Sequence, residues 1–266
     1  MSKSLHWYLR RHPLLYKIRF RLVSKKASIN SIESFCYNDI NKKSNIPPLF
    51  SEINNLIFKG LFDDLTDFEK ALKIAIWLKN NTKGGPGLGK SSTAALSKMI
   101  NGEGGVCSDF SQIYNNFCVI NDLKVKEWGI KNLSNDSTVS GGHSFNEVYC
   151  KEFQKWIMID TAKSIVFHHI NKCIPLSTIE FILLKKENKE ISPSNFNETI
   201  SIDNNTNNVN NIFLTSNSLP FVITNYNNKT YDYFLNKLDF FPESIIHGIV
   251  FLLGKSYLFE FPIEEN

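Results

Sequence analysis

Three residues in this 266-residue chain have the types that thiol acyl transfer requires: Cys107, His143 and Asp160. Cys107 follows Gly104-Gly105-Val106 and opens a segment in which Phe110, Ile113, Tyr114 and Phe117 recur at helical spacing. A cysteine at the start of a helix sees the positive end of the macrodipole, which favours the thiolate, and the thiolate is the nucleophile. The preceding glycines permit close backbone approach and leave a backbone N–H to face an oxyanion. Asp109, in the first turn, is suited to cap that helix. Taken singly, each residue has an ordinary reading: a free cysteine as a small core residue, a strand histidine, a strand-end carboxylate. Their combination carries the chemistry.

The elements that must position them are legible around them. Gly141 to Tyr149 and Lys155 to Asp160 read as two strands, and the short polar stretch between Cys150 and Lys155 predicts a β-hairpin. With a four-residue loop, residue 150 opposes 155 and 145 opposes 160, so His143 shares a face with Asp160 one diagonal step away. The carboxylate then fixes the imidazole tautomer and stabilises the cation formed when the thiol gives up its proton. Upstream, Thr66-Asp67-Phe68-Glu69 matches a capping box, and Phe68, Ala71, Leu72 and Ala75 follow on one helical face. A Gly-rich loop over 84–89 leads to a short helix over 92–100, and Val125 to Ile130 reads as a further strand.

Three motifs in this order resemble the transglutaminase-like superfamily of papain-like folds. They are Gly105-Val106-Cys107 before a helix, His143-Ser144-Phe145-Asn146-Glu147-Val148 on a strand, and Trp156-Ile157-Met158-Ile159-Asp160 on the next, with gaps of 36 and 17 residues between the three functional positions. The match covers roughly residues 66–165. The resemblance implies an α+β fold with a helix-borne cysteine packed on an antiparallel sheet that carries His and Asp. It implies Cys107 as nucleophile, His143 as general base and acid, and Asp160 as orienter. The activity implied is a Cys-His-Asp thiol hydrolase or acyltransferase acting on an amide or ester through an acyl-enzyme: a thiol protease or amidase if water attacks, an amine acyltransferase if an amine does. Both need the same triad, so the substrate is a peptide, amide or amine-bearing molecule, and no cofactor is implied. The strand Asp122 to Gly129 keeps the family pattern only loosely, and Asn101 is a weak candidate for a second oxyanion donor.

Other signals compete. A non-catalytic scaffold keeping this fold would be marked by loss of a triad residue, and none is lost. Gly84-Gly85-Pro86-Gly87-Leu88-Gly89-Lys90-Ser91 matches the P-loop pattern, but that loop works only when a buried strand feeds it, and an amphipathic helix precedes this one. His168, His169 and Cys173 fit no zinc spacing, so no metal site is expected. The five cysteines have wide spacings and no C-x-x-C, which fits reduced thiols in a cytoplasmic chain. A net charge of +4 is too slight for a nucleic-acid binder.

The chain divides into a basic N-terminal arm with helical elaboration (1–62), the catalytic core (63–194) and a C-terminal elaboration without a chemical motif (195–266). The first 26 residues hold eight Lys/Arg and no acid, mixed with Trp7, Tyr8, Tyr16 and Phe20. They read as an amphipathic helix broken by Pro13 and suit peripheral contact with an anionic membrane. They lack the uninterrupted apolar run of a signal peptide.

Overall fold

The computed structural model describes residues 13–60, 64–85, 89–132, 142–170, 172–197, 209–215 and 218–264. Its organising element is a mixed sheet of eight strands among the described residues, in the order β1-β8-β7-β2-β3-β4-β5-β6. These strands are β1 (Ser24–Ser28), β2 (Val125–Asn132), β3 (Gly142–Cys150), β4 (Lys155–Asp160), β5 (Ile165–His169), β6 (Ile191–Asn195), β7 (Ser218–Thr224) and β8 (Leu258–Ile263). β1 and β8 pair in parallel, and every other neighbouring pair is antiparallel. The expected α+β architecture is present, with the sheet wider than the hairpin region required.

The strands from 218 to 264 are integral to this sheet. β7 pairs directly with β2, with Gly129 opposite Phe221, and β8 pairs with β7. β1, from the N-terminal region, closes the edge beside β8. Strands from all three sequence segments therefore build one sheet.

Helices cover it according to their apolar stripes. We number them α1 (Pro13–Val23), α2 (Ile29–Ser34), α3 (Tyr37–Ile40), α4 (Pro48–Phe58), α5 (Asp67–Asn81), α6 (Ser92–Ile100), α7 (Cys107–Ile120), α8 (Thr178–Lys186), α9 (Asn228–Lys237) and α10 (Glu243–Leu252). α5 begins where the sequence signals it: the Thr66 hydroxyl accepts from Glu69 N–H, and the Glu69 carboxylate accepts from Thr66 N–H at 2.8 Å. Its buried stripe is Ala71, Ile74, Ala75 and Leu78. α7 is buried along nearly its whole length. Phe110, Ile113, Tyr114 and Phe117 join Val125, Val148, Ile157 and Ile159 in the core on one face of the sheet. The alternate residues of the same strands, Trp128, Ile130, Phe145 and Met158, point to the other face and pack with Phe167, Phe181 and Phe213. A third cluster gathers Val23, Phe221, Ile223, Tyr231, Ile246 and Tyr257.

α1 is described from Pro13 onward, so the expected break at Pro13 lies at the edge of the described residues. Residues 1–12, with Trp7 and Tyr8, lie outside the described residues. So do 61–63, 86–88 in the Gly-rich loop, 133–141 and most of the Asn-rich stretch. Among the described residues, no helix is long and apolar enough to cross a membrane.

Candidate active site

Cys107 is the first residue of α7, and glycine geometry places it there. Gly104 has φ +90°, and a Cβ on it would lie 2.9 Å from Gly85 Cα; a Cβ on Gly105 would lie 2.6 Å from Met99 Sδ. Side chains at both positions are therefore excluded unless the backbone or Met99 gives way. The turn is tied to the upstream loop by the Gly85 N–H, which donates to the Gly105 carbonyl at 2.9 Å. Asp109 Oδ2 accepts from the Val106 N–H at 2.8 Å, satisfying one of the donors exposed at the helix start and adding a negative charge at the positive end of the dipole.

His143 and Asp160 come from the hairpin. Cys150 stands opposite Lys155, so the loop has four residues, Lys151 to Gln154, and the register runs on through Val148 opposite Ile157 and Asn146 opposite Ile159. Continued by one step it sets residue 145 against 160, which makes His143 the diagonal neighbour of Asp160. His143 Nε2 lies 2.6 Å from Asp160 Oδ2, with the histidine 8% and the aspartate 0% exposed. The other carboxylate oxygen accepts from the Lys163 N–H at 3.0 Å, so the tight turn after β4 holds the group in place. Phe213 packs edge-on against the imidazole at 5.5 Å between centroids.

α7 runs alongside β3. The Ser111 carbonyl accepts from Asn146 Nδ2 at 3.1 Å, and one turn earlier Cys107 lines a cavity together with His143 and Ser144. Cys107 and His143 thus border one cavity, and His143 is bonded to Asp160. Burial by itself raises the thiol pKa, but the His143 hydrogen bond and charge, aided by Ser144, outweigh it and leave the thiol below its ordinary value. Burial by itself lowers the imidazole pKa, but the Asp160 charge and hydrogen bond, with Cys107, raise it to about 10. Both shifts favour a thiolate–imidazolium pair.

Other motif residues have structural work. Glu147 accepts from Trp128 Nε1 at 3.0 Å and from the Thr178 N–H at 2.7 Å, and faces Lys126 Nζ at 3.7 Å; that ammonium sits 3.7 Å above the Trp156 ring. The buried Lys126 and Glu147 tie β2, β3, β4 and the start of α8 together on the face away from α7. Asn101 caps the end of α6 and is exposed, away from the cavity at Cys107, so the structure does not support it as an oxyanion donor.

Sequence reasoning missed the floor of that cavity. Glu127 on β2 is 2% exposed; its Oε2 accepts from Gln112 Nε2 and, at 3.2 Å, from Asn115 Nδ2. Burial, then the nearby Cys107 charge, hold its carboxyl well above the usual carboxylate range. Its signal was an acidic residue with the same strand parity as Val125, facing the core rather than solvent.

Of the other motifs, the end of the Gly-rich loop borders this cavity through Gly89 and Lys90. The segment ahead of Gly84 is helix α5, not the strand that a P-loop needs. His168 and His169 lie on β5 and Cys173 is exposed; among the described residues no three His, Cys, Asp or Glu side chains cluster as metal ligands. All five cysteines are unpaired.

No family model and no curated protein matches the chain. Among solved structures, one described as a "Putative Cysteine Protease from Cytophaga hutchinsonii" is similar at 17% identity with a TM-score of 0.36, over 63% of this chain and 56% of that one. The match thus spans little more than half of that neighbour's length. A likeness at this level leaves function to be argued from the residues themselves.

Proposed function

We propose that this chain is a transglutaminase-like thiol enzyme that acts on an amide or ester through an acyl-enzyme. The observation that supports the reading is the 2.6 Å contact between His143 Nε2 and Asp160 Oδ2, with Cys107 at the start of α7 lining the same cavity as His143.

The thiolate of Cys107 attacks the substrate carbonyl carbon and forms the C–S bond. The carbonyl electron pair moves to oxygen, and the Cys107 backbone N–H at the free end of α7 is positioned to receive that charge. Collapse expels the amine or alcohol, which takes its proton from the His143 imidazolium. The neutral imidazole then removes a proton from water or an amine, which attacks the thioester and releases acid or new amide with the thiol. Asp160 keeps the imidazole in the tautomer that faces sulfur and offsets its charge. Water and amine use the same residues, so hydrolase and acyltransferase activities are both open to this site.

The test is mass spectrometry of the intact chain after exposure to an activated phenyl ester. A single acyl adduct on Cys107, absent from Cys107→Ala, supports the reading; modification elsewhere, or none, overturns it.

Two further proposals follow. A thiolate nucleophile among unpaired cysteines suits a reducing compartment such as the cytoplasm. The N-terminal region suits reversible attachment to an anionic membrane: Leu14, Ile18 and Leu22 form an exposed stripe at four-residue spacing on α1, beside exposed Lys17 and Arg21.

A further inference from the structure

The space beside Cys107 is much larger than a thiol and a water require. It is a cavity of about 660 Å³, within the range of sites that enclose a small organic ligand. Its far wall comes from the C-terminal third of the chain, which supplies none of the three reactive residues. Phe221 and Ile223 on β7, Tyr231 on α9 and Phe259 on β8 line it with Tyr226 and Tyr257.

These side chains form a continuous aromatic surface. Tyr226 stacks on Tyr231 at 4.4 Å between centroids and 5° between planes, and Phe221 lies 4.5 Å from Phe259. Gly129 is part of the construction: a Cβ there would lie 2.4 Å from Phe221 Cζ, so glycine on β2 lets that ring lie flat against the sheet. Charged side chains line the cavity as well: Arg19 and Lys90, with Asp109 and Glu243. Burial raises the Glu127 carboxyl above its usual range, and burial together with Arg19 lowers His247, which contacts Glu243 at 3.1 Å. The guanidinium of Arg19 sits over the Tyr257 ring at 5.3 Å. The nucleophile stands at one side of this space and the aromatic wall at the other.

We propose that this cavity is the acyl-side subsite, and that it selects donors whose acyl group carries a bulky aromatic side chain. This rests on the thiol-enzyme reading for the identity of the occupant, because an acyl group bonded to Cys107 must extend into the adjoining space. The aromatic wall then desolvates its side chain with offset and edge contacts that a small side chain cannot make.

The experiment separates binding from turnover. Nα-acetyl-L-phenylalaninamide, Nα-acetyl-L-alaninamide and Nα-acetyl-L-aspartamide are titrated by calorimetry into the full chain carrying Cys107→Ala. Acyl-enzyme formation from the corresponding phenyl esters is measured with the unaltered chain. The aromatic amide should bind about tenfold or more tightly than either the alanine or the acidic amide, as burial of an aromatic side chain predicts. Equal binding of the three, or preference for the acidic one, overturns the subsite. Ile223→Phe, which narrows the cavity, should abolish the preference; if it does not fold, the comparison of the three ligands still decides. Selective aromatic binding without any acyl-enzyme would sink the thiol reading alone, whereas acyl-enzyme formation at equal rates from all three esters would sink the subsite alone.

Discussion

His143 Nε2 lies 2.6 Å from Asp160 Oδ2, and the two residues meet diagonally across a hairpin whose register is fixed by Cys150 opposite Lys155. The carboxylate has no solvent exposure, and its second oxygen is occupied by the Lys163 N–H. These contacts hold the carboxylate, and through it the imidazole, in place. Asp160→Asn keeps the shape but removes the charge that offsets the imidazolium. Acyl transfer should fall roughly 100- to 10,000-fold, the span expected for general acid–base catalysis. Initial rates with a phenyl ester measure this, and circular dichroism checks that the fold survives. A loss below tenfold would remove Asp160 from the proposed mechanism.

The pH dependence follows from the paired shifts. The Cys107 thiol is lowered from its ordinary 9.0, so the thiolate persists to lower pH than a free cysteine allows. His143 is raised from 6.5 to about 10, so the imidazolium persists until that pH. Acyl-enzyme formation should rise as the thiol ionises and fall again as pH passes about 10, where the leaving group loses its acid. Alkylation by iodoacetamide needs only the thiolate and should show no fall at the alkaline limb. The sign for stability agrees: a folded-state pKa above the unfolded one contributes fully below about 6.5 and is lost as pH rises through about 10. A turnover profile that simply tracks an ordinary thiol near pH 9 would contradict the ion pair.

The turn before Cys107 offers a test of positioning. Gly104 combines φ +90° with backbone contact at Gly85, so Gly104→Ala meets both a strained conformation and a clash. The expected outcome is a stability loss of about 1–3 kcal/mol, read by denaturant unfolding, with a larger proportional loss of Cys107 alkylation at neutral pH. Unchanged alkylation in a stable variant would mean that the turn does not set the thiol environment.

The residues that sequence made legible are those whose geometry is local. His143 and Asp160 are joined by one hairpin, and strand parity with a loop length was enough to set them on one face. The Thr66 cap and the helix opening at Cys107 are likewise written within a few residues. The cavity was not legible, because its aromatic wall depends on β7 pairing with β2 across about ninety residues, and no short-range signal announces that pairing. Glu127 was hidden for the same reason: its inward direction matters only once α7 covers that face. Asn101 was read from its distance to Cys107 in sequence, but the turn after α6 carries it to the surface.

The proposed membrane contact must be tested without disturbing the sheet. α1 has two faces. Phe20 packs against Phe221, Phe259 and Phe261, with centroids 5.3–6.0 Å apart, and Val23 is buried in the same cluster. Removal of residues 1–26 would strip these side chains from the cluster around Phe221 and Phe259, and any loss of vesicle binding would then be confounded with damage to the fold. The opposite face, Leu14, Ile18 and Leu22, is 57%, 46% and 54% exposed, so it can be altered without removing Phe20 or Val23. Near an anionic surface each basic residue contributes about 1 kcal/mol, falling with salt, and inserted leucines add to this. The full chain should sediment with vesicles rich in phosphatidylserine at low salt and be released as salt rises. Replacing Leu14, Ile18 and Leu22 together by Ser should abolish sedimentation while leaving thermal unfolding and Cys107 alkylation unchanged. Sedimentation that survives both the triple substitution and high salt would rule out α1 as the attachment element.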